Sequence, residues 1–433
     1  MKTITRKIIV TLIAGATLLS AATAVSAASM NSSSARSFSG AQSRTLTGGM
    51  TGGFTGGMTG GYSAKAGAFS YADLTGGIVT SDELFSKRDL KQTADLEEAE
   101  TVTVKNRQTV TITEEGVYIL KGSASNCTVK IEADKEAKIQ LVLDGVSVTN
   151  DSFPAIYAVS ADKVFVTTTE GSKNTLTVTG TFKADGETGT DAVIYSKEDL
   201  VLNGKGTLTV TSSKGNGITS KDDLKITGGT LTVTAQLDAL EANDSIVIYD
   251  GTITVNSKKD GLHAENDDDD SLGYIWIGGG TLSVTASDDA IHGTSFIQID
   301  DGKITVSGAE GIEGTYVQIN GGTVNVTGTD DGINGADKSS AYETAVEIAG
   351  GTVNVSVGQG DTDAIDSNGN IYVSGGTINI TSAMSAFDYD GTASCTGGTI
   401  TVNGQTVNGI TASMMGGGMQ TGSFGGMIRG GRR

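Results

Sequence analysis

The chain has 433 residues, 50 acidic against 30 basic, and a formal charge of −20 at pH 7. That balance argues against nucleic acid as a partner, because phosphates need Lys and Arg to displace their counterions, and it repels an acidic ligand unless a cation intervenes. With 62 Gly, one Trp, one Pro and 5% aromatics, the composition favours repeated small turns over an aromatic-rich globule.

Residues 1–27 read as a secretory signal. Lys2, Arg6 and Lys7 lead an apolar run from Ile8 to Leu19, and Val25-Ser26-Ala27 supplies small residues before a cut near Ala28. Removing three basic residues leaves 27 against 50, a charge of −23. No second apolar run approaches the roughly 20 residues of a membrane span, so export to water, free or loosely at the cell surface, is expected without membrane insertion. Residues 28–78 are rich in Ser, Gly, Thr and Met, with TGGMTGGFTGGMTGGY from Thr47 to Tyr62, and a Gly/Met-rich tail fills 411–433. Both are expected to be flexible, since Gly-rich sequence loses much entropy on ordering and buries little.

Between them, residues 79–410 show strand-type alternation that becomes a repeat. The residue after each Gly-containing turn falls at Thr207, Thr230, Thr252, Thr281, Lys303, Thr323, Thr352, Thr377 and Thr399. A step of about 22 residues is too short for a strand, a crossover helix and a second strand. It suits one turn of a parallel β-helix, three short strands joined by tight bends. The fold expected is all-β: a right-handed, single-stranded parallel β-helix, or solenoid, its hand taken from parallel crossovers in general. In TLSVT, Leu282 and Val284 point inward while Thr281, Ser283 and Thr285 point out. Two turns of 29 residues carry inserts, ENDDDDSLG at 265–273 and ADKSSAYETA at 336–345, expected to stand on one edge as lips beside a shallow surface. Cys127 and Cys395 are too far apart along such a rod to bond and are expected as two buried thiols.

The phrase GGTLSVTASDDAIHG, residues 279–293, recurs with variations, and six consecutive rungs from Asp238 to Asp363 carry a carboxylate at the corner. Aligned corners give one column of Asp191, Asn216, Asp238, Asp260, Asp289, Glu310, Asp331, Asp363 and Ser385. A second column three residues later reads Glu241, His263, His292, Glu313, Asn334, Asp366 and Asp388. Equivalent residues of stacked rungs lie about 4.8 Å apart, where like charges repel by roughly 1 kcal/mol in water and more when shielded. A Ca²⁺ between carboxylates, with oxygens at about 2.3–2.6 Å, fits that spacing. Asp and Asn also suit bends for their own backbone hydrogen bonds, but Asn or Ser would serve there without charge. Candidate metal ligands are therefore Asp238, Glu241, Asp260, Asp288, Asp289, Glu310, Glu313, Asp330, Asp331, Asp363 and Asp366, with Asn266, Asp268 and Asp270 in the first insert. That insert lacks the glycine and terminal glutamate spacing of an EF-hand. His263 and His292, one rung apart, open the alternative of a transition metal.

The segments LFSKRDLKQT, EGVYILKGS, IQLVLDGVSVTN, DAVIYSKEDLVLNGKGTLTV and NGITSKDDLKITGGTLTVTA resemble the secreted bacterial carbohydrate-binding β-helix family, itself similar in fold to family 9 polysaccharide lyases. The resemblance covers about residues 80–405. It implies a right-handed parallel β-helix that holds calcium and binds cellulose or acidic, pectin-like polysaccharide. It carries the calcium positions onto Asp238, Asp260, Asp289 and Asp331, and onto Asn266, Asp268 and Asp270. Leu237, in place of the first Asp of a pair, and Glu310, in place of Asp, depart from the pattern.

The leading expectation is a monomeric polysaccharide-binding module in which Ca²⁺ joins protein and uronate carboxylates. Tyr274 and Trp276, alternating with Ile275 and Ile277, are the candidate sugar platforms, or else a cover for one strand. A β-eliminating lyase is the alternative, with Lys258, Lys259 or Lys303 as base. A non-catalytic adhesin or structural solenoid is the second. Outward Thr columns such as Thr230, Thr232 and Thr234 beneath Thr252 and Thr254 suit ice or crystalline cellulose, though Thr is also a favoured strand residue.

Overall fold

A computed structural model describes residues 8–12, 69–71, 76–360 and 362–412. The expectations for the Gly/Met-rich tails fall almost wholly outside them. Residues that alternate with a period of two form the strands expected of them. They stack as an all-β, β-helix-like solenoid in which each turn lays down three strands, one on each of three parallel sheets. Sheet A holds the TLTVT-type strands, in register from Thr230 through Thr252, Thr281 and Lys303 to Thr323. Sheet B holds short strands after the acidic corner, such as Leu240–Ala242, Leu262–Ala264 and Ile333–Gly335. Sheet C holds strands such as Asp223–Ile226, Ser245–Ile248 and Tyr274–Ile277, one above another.

The interior is aliphatic because stacked rungs place like on like. Leu231, Ile253, Leu282, Ile304 and Val324 form one inner column and Val233, Val255, Val284, Val306 and Val326 the next, none more than 4% exposed. Each such side chain contributes roughly 1.5–3 kcal/mol by leaving water. Outward on sheet A stand the Thr columns, with Asn325, Asn354 and Asn379 hydrogen-bonded rung to rung at 2.9 and 2.8 Å. At the bend from sheet C to sheet A, Gly322 and Gly351 both have φ +76, and a Cβ on Gly351 would lie 2.7 Å from the Gly321 carbonyl beneath it. Only glycine combines that conformation with so close a stack.

The coil begins well before the repeat is visible: Glu100–Thr103 pairs in parallel with Gly116–Ser125, and that strand with Lys138–Asn150. Antiparallel strands lie at both ends, Ile8–Leu12 against Gln108–Ile112 and Gln405–Val407 against Thr399–Val402. The first of these belongs to the apolar run read as a leader. Cys127 is buried and Cys395 exposed. The expectation of two buried thiols fails at Cys395 because its strand, Ala393–Cys395, is the last rung of sheet C.

Sheet C is buried on both sides, which the alternation in its strands does not announce. Residues 76–93 cross its outer face as a strap. Val79 exchanges two hydrogen bonds with Gln298, both 2.9 Å, Lys225 Nζ donates to the Leu84 carbonyl at 2.8 Å, and Gln92 accepts from Gly204 N at 2.9 Å. Beneath the strap, Phe85 packs on Trp276 at 5.6 Å between ring centres. Farther along, Tyr71 stacks on Tyr372 at 4.2 Å and Phe69 meets Tyr342 at 5.7 Å, so these three-residue remnants of the 28–78 segment are packed. Several of the scarce aromatics thus bind the strap to the coil.

Candidate functional site

The acidic corners stack as the repeat alignment requires. In the second column Glu241 pairs with His263, His263 with His292, His292 with Glu313, Glu313 with Asn334, and Asn334 with Asp366. In the first, Asp363 pairs with Ser385. Asp191 is the exception. Ala192, not Asp191, is the partner of Asn216, so the column starts one rung later than the alignment placed it.

First-column side chains hold the bend itself. Asn216 Oδ1 accepts from Asp238 N at 3.0 Å, Asp238 Oδ1 from Asp260 N at 3.0 Å, Asp260 Oδ1 from Asp289 N at 3.1 Å, and Asp331 Oδ1 from Asp363 N at 2.8 Å. These bonds run from rung to rung, 22 to 32 residues apart, and not to the side chain's own nearby backbone as a local Asx turn would have it. The residue after each Asp is Gly or Ala. A Cβ on Gly261 would fall 2.2 Å from Val284 Cγ1 and 2.5 Å from the Ala290 carbonyl.

From Asp238 to Glu313 the negative charge meets cations of the same chain. His263 Nδ1 lies 2.7 Å from Asp260 Oδ2, and His292 Nδ1 lies 2.8 Å from Asp289 Oδ2 and 3.0 Å from Glu313 Oε2. Lys259 reaches Asp238 at 3.0 Å, Lys221 reaches Glu241 at 2.9 Å, and Lys338, from the second insert, reaches Glu313 at 2.6 Å. Burial works against the His263 imidazolium, but hydrogen bonds and charges from Asp238 and Asp260 outweigh it and hold its pKa up at about 10. Burial likewise opposes the Asp238 and Glu313 carboxylates. The bonds from His263 and Lys259 to the first, and from His292 and Lys338 to the second, nonetheless bring each down to about 2. The two rings stack 4.9 Å apart, each engaged with carboxylates.

On the same rung as Glu313, Glu310 is pushed up to about 8, by burial first and then by Glu313, although Asn334 Nδ2 donates to it at 2.9 Å. Burial, then Asp331, Asp363 and Asp388, raise Asp366 to about 7. Directly beneath Asp366 in register, the Oδ1 of Asn334 is buried without a hydrogen-bond donor. An unpaired buried carbonyl costs about 1–3 kcal/mol, and here it adjoins carboxylates that resist ionisation. Carboxylate and amide oxygens are the donors a hard divalent cation takes; among the described residues of the ladder, the groups whose ligand atoms converge most closely are Asp238, Asp260 and His263, Asp289, His292 and Glu313, and Asp260, Asp288 and Asp289.

The remaining candidates divide. Asp288 and Asp330 are exposed, each the residue before its column, though Asp288 brings an oxygen near Asp260 and Asp289. Asn266 turns away from the ladder: its Nδ2 donates to Asp244 Oδ1 at 2.7 Å, and its Oδ1 accepts from Asp268 N and Asp269 N at 2.9 Å. Asp268 and Asp270 are exposed. Ser340 Oγ donates to the Asp270 carboxylate and Ser339 Oγ to its carbonyl at 2.6 Å, so the inserts meet as a closed clasp instead of standing as separate lips. In the first insert the polar groups of Asn266 and Asp270 serve the turn, Asp244 and the clasp.

Trp276 is 3% exposed beneath the strap and Tyr274 stacks on Phe296 at 4.6 Å. Covering the strand, and not offering an open platform, is what this pair does. Burial opposes the charge of Lys259, yet Asp238 and Asp260 raise its pKa, the wrong direction for a base. Lys258 is exposed, and Lys303 stands in the Thr column at the far end of sheet A from the corner. Sequence reasoning missed Lys338 and Lys221 as cations of the ladder, and the three carboxylates Asp199, Asp222 and Asp223 at another bend.

Among the described residues no helix is long and apolar enough to cross a membrane. The family of carbohydrate-binding domain-containing proteins matches residues 106–362 and 311–423. A carbohydrate-binding domain-containing protein of Acetivibrio thermocellus is 42% identical over 200 residues, covering 46% of this chain and 70% of that protein. A solved polysaccharide lyase-like protein from C. thermocellum, a gadolinium derivative, is similar with 31% identity and a TM-score of 0.45, over 52% of this chain and 93% of the other. By the extent of the family match and of the Acetivibrio thermocellus relative, the chain belongs to the carbohydrate-binding domain-containing protein family.

Proposed function

We propose that the protein is a secreted, calcium-dependent polysaccharide-binding module, wound right-handed, whose ligand-bearing edge is the upper ladder of Asp331, Asn334, Asp363, Asp366 and Asp388. The observation that carries the reading is the buried, donor-less Oδ1 of Asn334, whose register partner on the next rung, Asp366, is a carboxylate that resists ionisation. Bound Ca²⁺ would supply positive charge that an otherwise acidic surface lacks, so that a uronate carboxylate could approach. Asp331, Asp363 and Asp366 are the residues that would hold it, with Asn334 as the neutral oxygen. Secretion rests on the basic and apolar leader.

The test is sedimentation of the full chain with polygalacturonate in calcium and in chelator, with absorbance of unsaturated products read together. Calcium-dependent co-sedimentation without new absorbance is the expected result. Binding that survives chelator, or no binding in either, overturns the calcium reading, and rising absorbance overturns the non-catalytic one.

A further inference from the structure

A second feature lies on another edge of the rod, where sheet C turns into sheet A. The residue that begins this turn is Thr227, Tyr249, Gly278, Asp300, Asn320, Ala349 and Ser374 on successive rungs. Gly278 is the one position in this series with no side chain. It leaves a gap between Tyr249, 40% exposed on one side, and Asp300 on the other. Two rung spacings separate these walls, about 9.6 Å between backbones.

Glycine is required there by the floor of the gap. A Cβ on Gly278 would lie 2.0 Å from Cη2 of Trp276, whose indole lies against it. The indole is held in place by Nε1 donating to Asp300 Oδ2 at 2.8 Å and by Phe85 of the strap. Thr80 and Ser81 of the strap form the outer rim, and Asp250 stands beside Tyr249. The resulting cleft has a volume of about 520 Å³, within the rough 300–1,000 Å³ range of small-ligand sites.

We propose that this cleft is a neutral-sugar subsite, distinct from the acidic ladder, in which one pyranose ring stacks on Tyr249 and its hydroxyls meet Asp250 and the strap, the Asp300 carboxylate being taken up by Trp276, Gln298 and Asn320. The proposal rests on the carbohydrate-binding reading of the family and not on calcium. The chemistry selects the ligand class. An aromatic face beside fixed polar groups suits a ring with one flat C–H face and equatorial hydroxyls. The carboxylates Asp250 and Asp300, with no Lys or Arg among the described residues that line the cleft, disfavour a uronate. A β-1,4-linked glucan or xylan fits; a polygalacturonate does not.

Trp276 is the single tryptophan of the chain and forms part of the cleft wall, so its emission reports on this site. The experiment is titration of the full chain, in chelator, with cellotetraose and xylotetraose, following Trp276 fluorescence and calorimetric heat. The expected result is saturable binding that weakens at least tenfold in Tyr249→Ala, is kept in Tyr249→Phe, and is unchanged in Lys258→Ala. Melting curves establish that each variant is folded. No heat and no spectral change with either oligosaccharide overturns the proposal, as does equal binding by Tyr249→Ala. Polygalacturonate sedimentation on the same sample separates the failures: if it persists in calcium, the cleft alone is wrong, and if it is also lost, the ladder reading falls as well.

Discussion

The lower and upper stretches of one ladder solve the same charge problem in opposite ways. From Asp238 to Glu313, buried carboxylates face His263, His292, Lys259 and Lys338, and Asp238 and Glu313 sit near pKa 2, while burial holds Asp289 and Glu310 up. From Asp331 to Asp388 the bends are alike, but the second column offers Asn334 and Asp366 where it had histidine, and Asp366 rises to about 7. Backbone geometry is therefore not what decides where an ion is wanted. The side chains brought beside the corner decide it: His263, His292, Lys221, Lys259 and Lys338 make the chain its own counterion in the lower stretch, and the second-column residues Asn334 and Asp366 bring no cation of their own.

The largest effect should come from removing a built-in counterion. His292→Leu leaves Asp289 and Glu313 with a partner lost from a mostly buried pair, a change that costs about 3–5 kcal/mol. Urea unfolding at pH 7 checks it. His292 is raised above its ordinary value by Asp289 and Glu313 despite burial. Its contribution is therefore fully present below about pH 6.5 and lost as pH rises through the raised pKa. The gap between wild type and His292→Leu should narrow in alkali, and the variant should acquire a calcium response in the lower stretch. A stability equal to wild type at pH 7 would sink the comparison.

Next in size is the upper stretch. A ligand at a hundred times its Kd stabilises by about 2.7 kcal/mol, so saturating calcium should raise wild-type stability by an amount of that order, and Asp366→Asn should lose most of the gain. Without calcium the sign reverses. Asp366 holds its proton more tightly folded than unfolded, so stability falls as pH rises from about 4 to about 7. Asp366→Asn should flatten that fall and be the more stable protein at pH 8. Thermal melts across pH, in chelator and in calcium, measure both.

These contrasts also mark what could be read from residues alone. The spacing of Thr230, Thr252 and Thr281 is enough for three-strand rungs, and the Asp and His columns stack in the predicted register because a β-solenoid leaves equivalent residues nowhere else to go. The start of the column was misplaced at Asp191, where a longer insertion before Ala192 hides a shift of one residue. Lys338 was invisible as a counterion because it arrives from an insert with no repeat to align it. The covering of Trp276 was invisible for a related reason: nothing periodic in residues 76–93 says that they lie across sheet C. Long-range packing of a non-repeating strap leaves no trace in a repeat.

The smallest expected effects belong to Lys258 and Lys303, and they discriminate between functions. Lys258 is exposed beside the corner, and Lys303 replaces one Thr in an outward column. Exposed substitutions away from buried partners usually stay within about 0.5 kcal/mol. Lys258→Ala and Lys303→Ala should therefore match wild type in urea unfolding and in polygalacturonate sedimentation. Lys259→Ala should be measurably worse in stability, since it removes the cation 3.0 Å from Asp238. If instead Lys303→Ala abolishes glycan binding while stability is unchanged, the glycan lies on the Thr face of sheet A. The ladder would then be the charge-balanced spine behind that surface.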